Sequence, residues 1–177
     1  MKLLILLFII SNSHNTKIMI TLDINNEQIQ RAENLYPFGA LNGSITNGRS
    51  NIYGALGEVV VMDYYSHLDV DADSTYDYDM IIDGHKVDVK TKHTTVVPRD
   101  SYLCSVSDWN TTQVCDFYFF VRVMKDMSRA FLLGYMSPEQ FYRDAFWRNK
   151  GELDVNGFAF KSDGYHIKIS DLIRFKT

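Results

Sequence analysis

Ile29, Ala32 and Leu35 recur at three-residue steps, which places them on one face of a short amphipathic helix over residues 27–36. Asp23 or Asn25 can cap it, and Pro37 with Gly39 ends it. Residues 39–51, rich in Gly, Asn, Ser and Thr, read as a loop carrying Arg49. A second helix is predicted from Tyr53 to about His67, with Leu56, Val59, Val60 and Tyr64 as its apolar positions. In it Gly54 and Gly57 stand where close packing against a sheet would use them, and Glu58 is the only acid before Asp63.

The period then changes to two. Residues 78–82 and 85–92 alternate around Asp83-Gly84, a strong hairpin signal, with Val87 and Val89 set against Asp88 and Lys90. Residues 102–106 fit a further strand, and 116–123, with Phe117, Tyr118, Phe119, Phe120, Val121 and Val123, fit a buried central one that 129–135 can join. Ser137, Pro138 and Gln140 form a capping box with proline in the first turn of a helix predicted to run to about Trp147. Strands near 157–161 and 165–169 and a short final turn complete the chain. No internal repeat is visible, and the element order implies an α/β or α+β domain with a mixed sheet.

A length of 177 residues suits a single domain, and 46% hydrophobic residues with only 3 Pro and 10 Gly exclude a disordered or collagenous chain. Cys104 and Cys115 are too few for a disulfide scaffold and lack the spacing of a zinc site. A net charge of −4 argues against coating nucleic acid by bulk electrostatics. The charge is segregated, however: residues 1–116 hold 8 basic and 15 acidic side chains, and residues 117–177 hold 10 and 7. A local basic surface is therefore compatible with an acidic mean.

Residues 3–10 are apolar behind Lys2, with Ser11 and Ser13 placed as in a short signal peptide. A bilayer core needs roughly 20 apolar residues, so no stable membrane anchor is expected. Met19 offers a second start; residues 1–18 read as a leader or apolar tail and 19–177 as the single domain. The expected location is cytoplasmic, with secretion through residues 1–13 as the alternative. Asp69, Asp71 and Asp73 suggest a calcium loop, but Ser74 and Met80 stand where that loop needs Gly and Glu, so a solvated acidic loop is expected.

Chemistry concentrates on the hairpin. Asp79 and Asp88 can face one another across it, and alternation puts Lys90 on the face of Asp88. Two adjacent carboxylates repel unless one is protonated or a cation lies between them, and an all-oxygen donor set suits Mg²⁺ or Mn²⁺ rather than zinc. A lysine beside such a site can orient an attacking water or stabilise charge on a phosphate oxygen.

These residues resemble the PD-(D/E)xK nuclease superfamily: Glu58 behind Gly54 and Gly57, Asp79 ahead of Met80, Ile81 and Ile82, and Asp88-Val89-Lys90. The resemblance covers residues 51–123 best, and in length the chain looks like small phage-borne members. It implies a restriction-endonuclease-like core, a mixed central sheet of about four strands flanked by helices, here with extra C-terminal strands. It further implies Asp79 and Asp88 as ligands of Mg²⁺, with Mn²⁺ as substitute, Glu58 as a further or water-mediated ligand, and Lys90 as the catalytic lysine. The activity implied is a metal-dependent nuclease, a hydrolase of DNA, and a homodimer would suit double-strand cutting. Tyr78 departs from the proline of the pattern, and Asp77 is a rival for the first acidic position.

For substrate binding, Lys92 and Arg49 can reach phosphates, Gln113 resembles the polar residue some members place before their last core strand, and Arg143, Arg148 and Lys150 form a candidate electrostatic footprint. His93 and Arg99 read as ordinary surface cations. Tyr102, Trp109 and Tyr118 can stack on bases, although aromatics at strand spacing more often belong to a core. Two other functions fit the sequence: a non-catalytic nuclease-fold protein acting in binding or as a phage scaffold, and a secreted calcium-binding module with Cys104 and Cys115 joined.

Overall fold

The computed structural model describes residues 19–35, 49–72, 75–155, 157 and 159–175, with the side chains of 49–51 excepted. The predicted leader, most of the predicted loop and Ser74 lie outside the described residues.

The chain is mixed α/β, but its main sheet has six strands rather than about four. Their spatial order is β1 (Ile20–Asp23), β7 (Arg129–Met136), β6 (Phe117–Met124), β4 (His85–Thr94), β3 (Met80–Ile82) and β2 (Val70–Asp71). The two extra strands are the edges, four and two residues long, too short for an alternation to declare itself in the sequence. Three further strands, β5 (Leu103–Ser107), β9 (Gly164–Lys168) and β8 (Phe146–Arg148), make a second sheet.

Three α-helices accompany the sheets among the described residues: α1 (Asn26–Leu35), α2 (Arg49–Tyr64) and α3 (Pro138–Asp144). Asn25 caps α1 reciprocally, its Oδ1 accepting from the Gln28 N–H while Gln28 Oε1 accepts from the Asn25 N–H. α2 starts at Arg49, a turn earlier than expected. α3 has the expected capping box at Ser137 and Gln140, but it stops at Asp144 instead of near Trp147. Ala145 turns extended and Phe146–Arg148 pairs with β9, a tertiary contact that overrides a helix-compatible sequence. The strand expected near 157–161 is reduced, among the described residues, to a single bridge between Leu153 and Ala159.

The hairpin forms as its sequence requires. Asp83 and Gly84 both take positive φ, 49° and 82°, the two-residue turn whose twist matches its strands, and Ile82 pairs with His85. β4 then runs parallel to β6, and β6 antiparallel to β7. One face of this sheet carries Val87, Val89, Phe119, Val121 and Leu132 and is covered by α2 through Leu56, Val59 and Val60. The other carries Tyr118, Phe120, Phe131 and Leu133, which pack with Cys104, Val106 and Ile167 of the second sheet and Phe141 of α3. α2 lies so close to β4 that a Cβ on Gly57 would sit 2.0 Å from Thr91 Oγ1. Among the described residues no helix is long and apolar enough to cross a membrane.

Candidate active site

β4 is ten residues long and β3 only three, so from Val89 onward β4 loses its neighbour on that side. The gap opens a cavity of about 380 Å³ at the sheet edge. Gly54 of α2 reaches it from one side and Ser105 and Ser107 of β5 from the other; its remaining wall includes Asp79, Asp88, Lys90, Lys92 and Gln113.

Asp79 stands just before β3, and its backbone N–H donates to the Val87 carbonyl at 2.9 Å. Its side chain then replaces the missing strand, Oδ2 accepting the Val89 N–H at 2.7 Å. Met80 opposes Val87, so the next pair along the ladder is Asp79 and Asp88. Burial, and next the charge of Asp88, push the Asp79 carboxyl up to about 7. Burial also raises Asp88, which is 3% exposed, against the opposing pull of Lys90.

Lys90 Nζ lies 2.6 Å from Asp88 Oδ2, donates to Gln113 Oε1 at 2.7 Å, and sits 5.6 Å from the Tyr118 ring centre. Gln113 is itself fixed, its Nε2 donating to the Tyr76 carbonyl at 2.7 Å. Tyr76 reaches back through its hydroxyl to the Trp109 carbonyl at 3.0 Å, and Asp77 accepts from the Val114 N–H at 3.2 Å. The segment before β3 and the segment before β6 are thus laced together across the mouth. Trp109 is 82% exposed, whereas Tyr118 is wholly buried; only the second behaves as a core aromatic.

Asp79, Asp88, Lys90, Lys92 and Gln113 are therefore brought together. Glu58 is buried at 8% exposure on the helix stripe it shares with Gly54 and Gly57, but it is not part of the cavity wall. Among the described residues no group of three or more His, Cys, Asp or Glu side chains is arranged to hold a metal ion. Arg143 lines a different cavity and pairs with Asp144 at 2.8 Å; Arg148 lies 3.7 Å from Glu152. Lys150 is exposed, and the Arg49 side chain lies outside the described residues. Cys104 and Cys115 are free thiols.

Arg122 in the cavity wall was not legible as a site residue, because it falls inside an apolar and aromatic run. Its signal is that same context: a lone cation in a strand otherwise built for the interior. No known protein family matches the sequence, and no curated protein does.

Proposed function

We propose that the chain is a metal-dependent nuclease that hydrolyses phosphodiester bonds, with DNA as its substrate. The observation that carries this reading is the paired Asp79 and Asp88 with Lys90 on the wall of one cavity. The donor set fits a divalent ion. Asp88 Oδ2 is buried and makes no directed hydrogen bond, only the contact with Lys90, and a second carboxylate faces it that must otherwise hold a proton. Two carboxylates suit Mg²⁺ or Mn²⁺, which keep several waters, better than zinc. Bound there, such an ion supplies positive charge that polarises a phosphoryl oxygen and lowers the pKa of water.

The chain's own groups do the rest. Gln113 and Asp88 fix the Lys90 ammonium from two directions, so it can stabilise charge on the phosphate or orient the incoming water without reorganising. Trp109, exposed and next in sequence to the cavity-lining Asn110, offers a face on which an unpaired base can stack.

The test is cleavage of supercoiled plasmid, linear duplex, single-stranded DNA, a four-way junction and RNA with Mg²⁺, Mn²⁺ or EDTA, beside Lys90→Met. Metal-dependent cutting that disappears in the variant is expected. A folded protein that cuts none of these and binds no Mn²⁺ by calorimetry would replace this reading with the non-catalytic one.

A further inference from the structure

The cavity changes sign along its length. On the face of β4 that carries Asp88 and Lys90 the next residue is Lys92, and the parallel register sets Lys92 directly beside Arg122 of β6. Like charges at adjacent sheet positions repel, and Lys92 and Arg122, each half-buried, are left to solvent or a bound anion where no carboxylate faces them. Among the described residues no carboxylate lies within ion-pair distance of Lys92 or Arg122.

What surrounds them deepens the deficit. Arg122 donates from Nη2 to the Leu103 carbonyl at 3.0 Å and stacks over Tyr102, but its Nε is buried with no hydrogen-bond partner. Burial pushes the Lys92 ammonium down to about 8, with Cys104 opposing and Arg122 and Lys161 adding to the shift. The Cys104 thiol, raised by burial to about 11, is protonated at neutral pH and supplies no negative charge. His166, at the β9 position paired with Ser105, is buried with both ring nitrogens unpartnered. Ser105 and Ser107 of β5 line the same cavity.

We propose that this end of the cavity binds a phosphate oxyanion, held by Lys92 and Arg122 with β5 beside it. The proposal deepens the nuclease reading and rests on it for the source of the phosphate. Lys92 stands four residues beyond Asp88, about 13 Å along an extended strand. A phosphate held there is therefore not the one being cleaved but another on the same substrate, and the site sets where along the chain the cut falls. Free inorganic phosphate, a terminal monoester and a backbone diester share the chemistry, and the two cations match a dianion best.

Calorimetry of the full chain in EDTA, with inorganic phosphate as probe, tests this. One saturable site is expected, weakened about tenfold or more in Lys92→Met and in Arg122→Met, and unweakened in Asp88→Asn. Methyl phosphate binding more tightly than dimethyl phosphate assigns the site to a strand end; equal affinity assigns it to the backbone. Lys92→Met removes an uncompensated charge and keeps the stem, so it should fold. Should it not, protection of Lys92 but not exposed Lys125 from acetylation by phosphate, read by mass spectrometry of the unaltered protein, gives the same decision. No saturable binding at millimolar phosphate, or equal affinity in wild type and Lys92→Met, overturns the proposal. Because neither metal nor cleavage enters, failure here is distinct from failure of the nuclease reading.

Discussion

The Val89 N–H rests on Asp79 Oδ2 at 2.7 Å, at the point where β3 has ended and β4 continues alone. One carboxylate thus both finishes a ladder and faces Asp88. The two roles separate by substitution. Asp79→Asn keeps an acceptor for Val89, and Asp79→Ala leaves that N–H without its partner, at a cost of about 1–3 kcal/mol.

The pH dependence has a definite sign. Asp79 is raised to about 7 in the folded chain, so its contribution to stability is full below the unfolded carboxyl pKa of roughly 4 and is lost as pH rises through 7. Metal-free Asp79→Asn should therefore match wild type near pH 4 and exceed it increasingly up to pH 8, by urea unfolding. A wild-type protein that gains stability over that interval relative to Asp79→Asn contradicts the assignment.

Lys90→Met should lower cleavage by about a hundredfold or more, the scale of losing one preorganised group at the developing charge. Its unfolding midpoint should move little, because Asp88 can take up a proton when its cation is gone. A large stability loss with cleavage intact would reduce Lys90 to a structural partner of Asp88.

Trp109→Ala should leave stability within about 0.5 kcal/mol, as an exposed side chain away from the core does. Its binding of single-stranded oligonucleotide should weaken by about 1–3 kcal/mol, the range for one stacked base. Fluorescence anisotropy of a labelled oligonucleotide measures it, and unchanged affinity removes the stacking role.

Gly57→Ala drives a methyl group to within 2.0 Å of Thr91 Oγ1, so helix and strand must separate. A loss of about 1–3 kcal/mol follows, and the cavity wall at Gly54, one turn earlier, should shift with it. Thr91→Ala in the same chain should restore part of the loss.

The hairpin was legible because everything that makes it is local: an Asp-Gly pair that accepts positive φ, and alternation that sorts Val87 and Val89 from Asp88 and Lys90. The grouping of Asp79, Asp88 and Lys90 follows from those two facts. What sequence left hidden depends on distant partners. Phe146–Arg148 is a strand because β9 is there to pair with it, and Ile20–Asp23 joins the sheet because β7 offers an edge. Lys92 shows as a cation in the sequence, but its want of a counter-charge appears only once the register places Arg122 beside it. Trp109 reads as core by type and is exposed because it lies in a short turn between β5 and β6.

Between β4 and β6 the chain leaves the main sheet, spends β5 in the second sheet, and returns to lie parallel to the strand it left. The wall formed by Ser105 and Ser107 is thus threaded into the crossover that aligns Lys92 with Arg122. Such a wall cannot swing aside as an independent flap; releasing it means undoing the central parallel pairing. Slow hydrogen exchange of the β5 amides, at the same free energy of opening as those of β4 and β6, is the signature of that single cooperative unit.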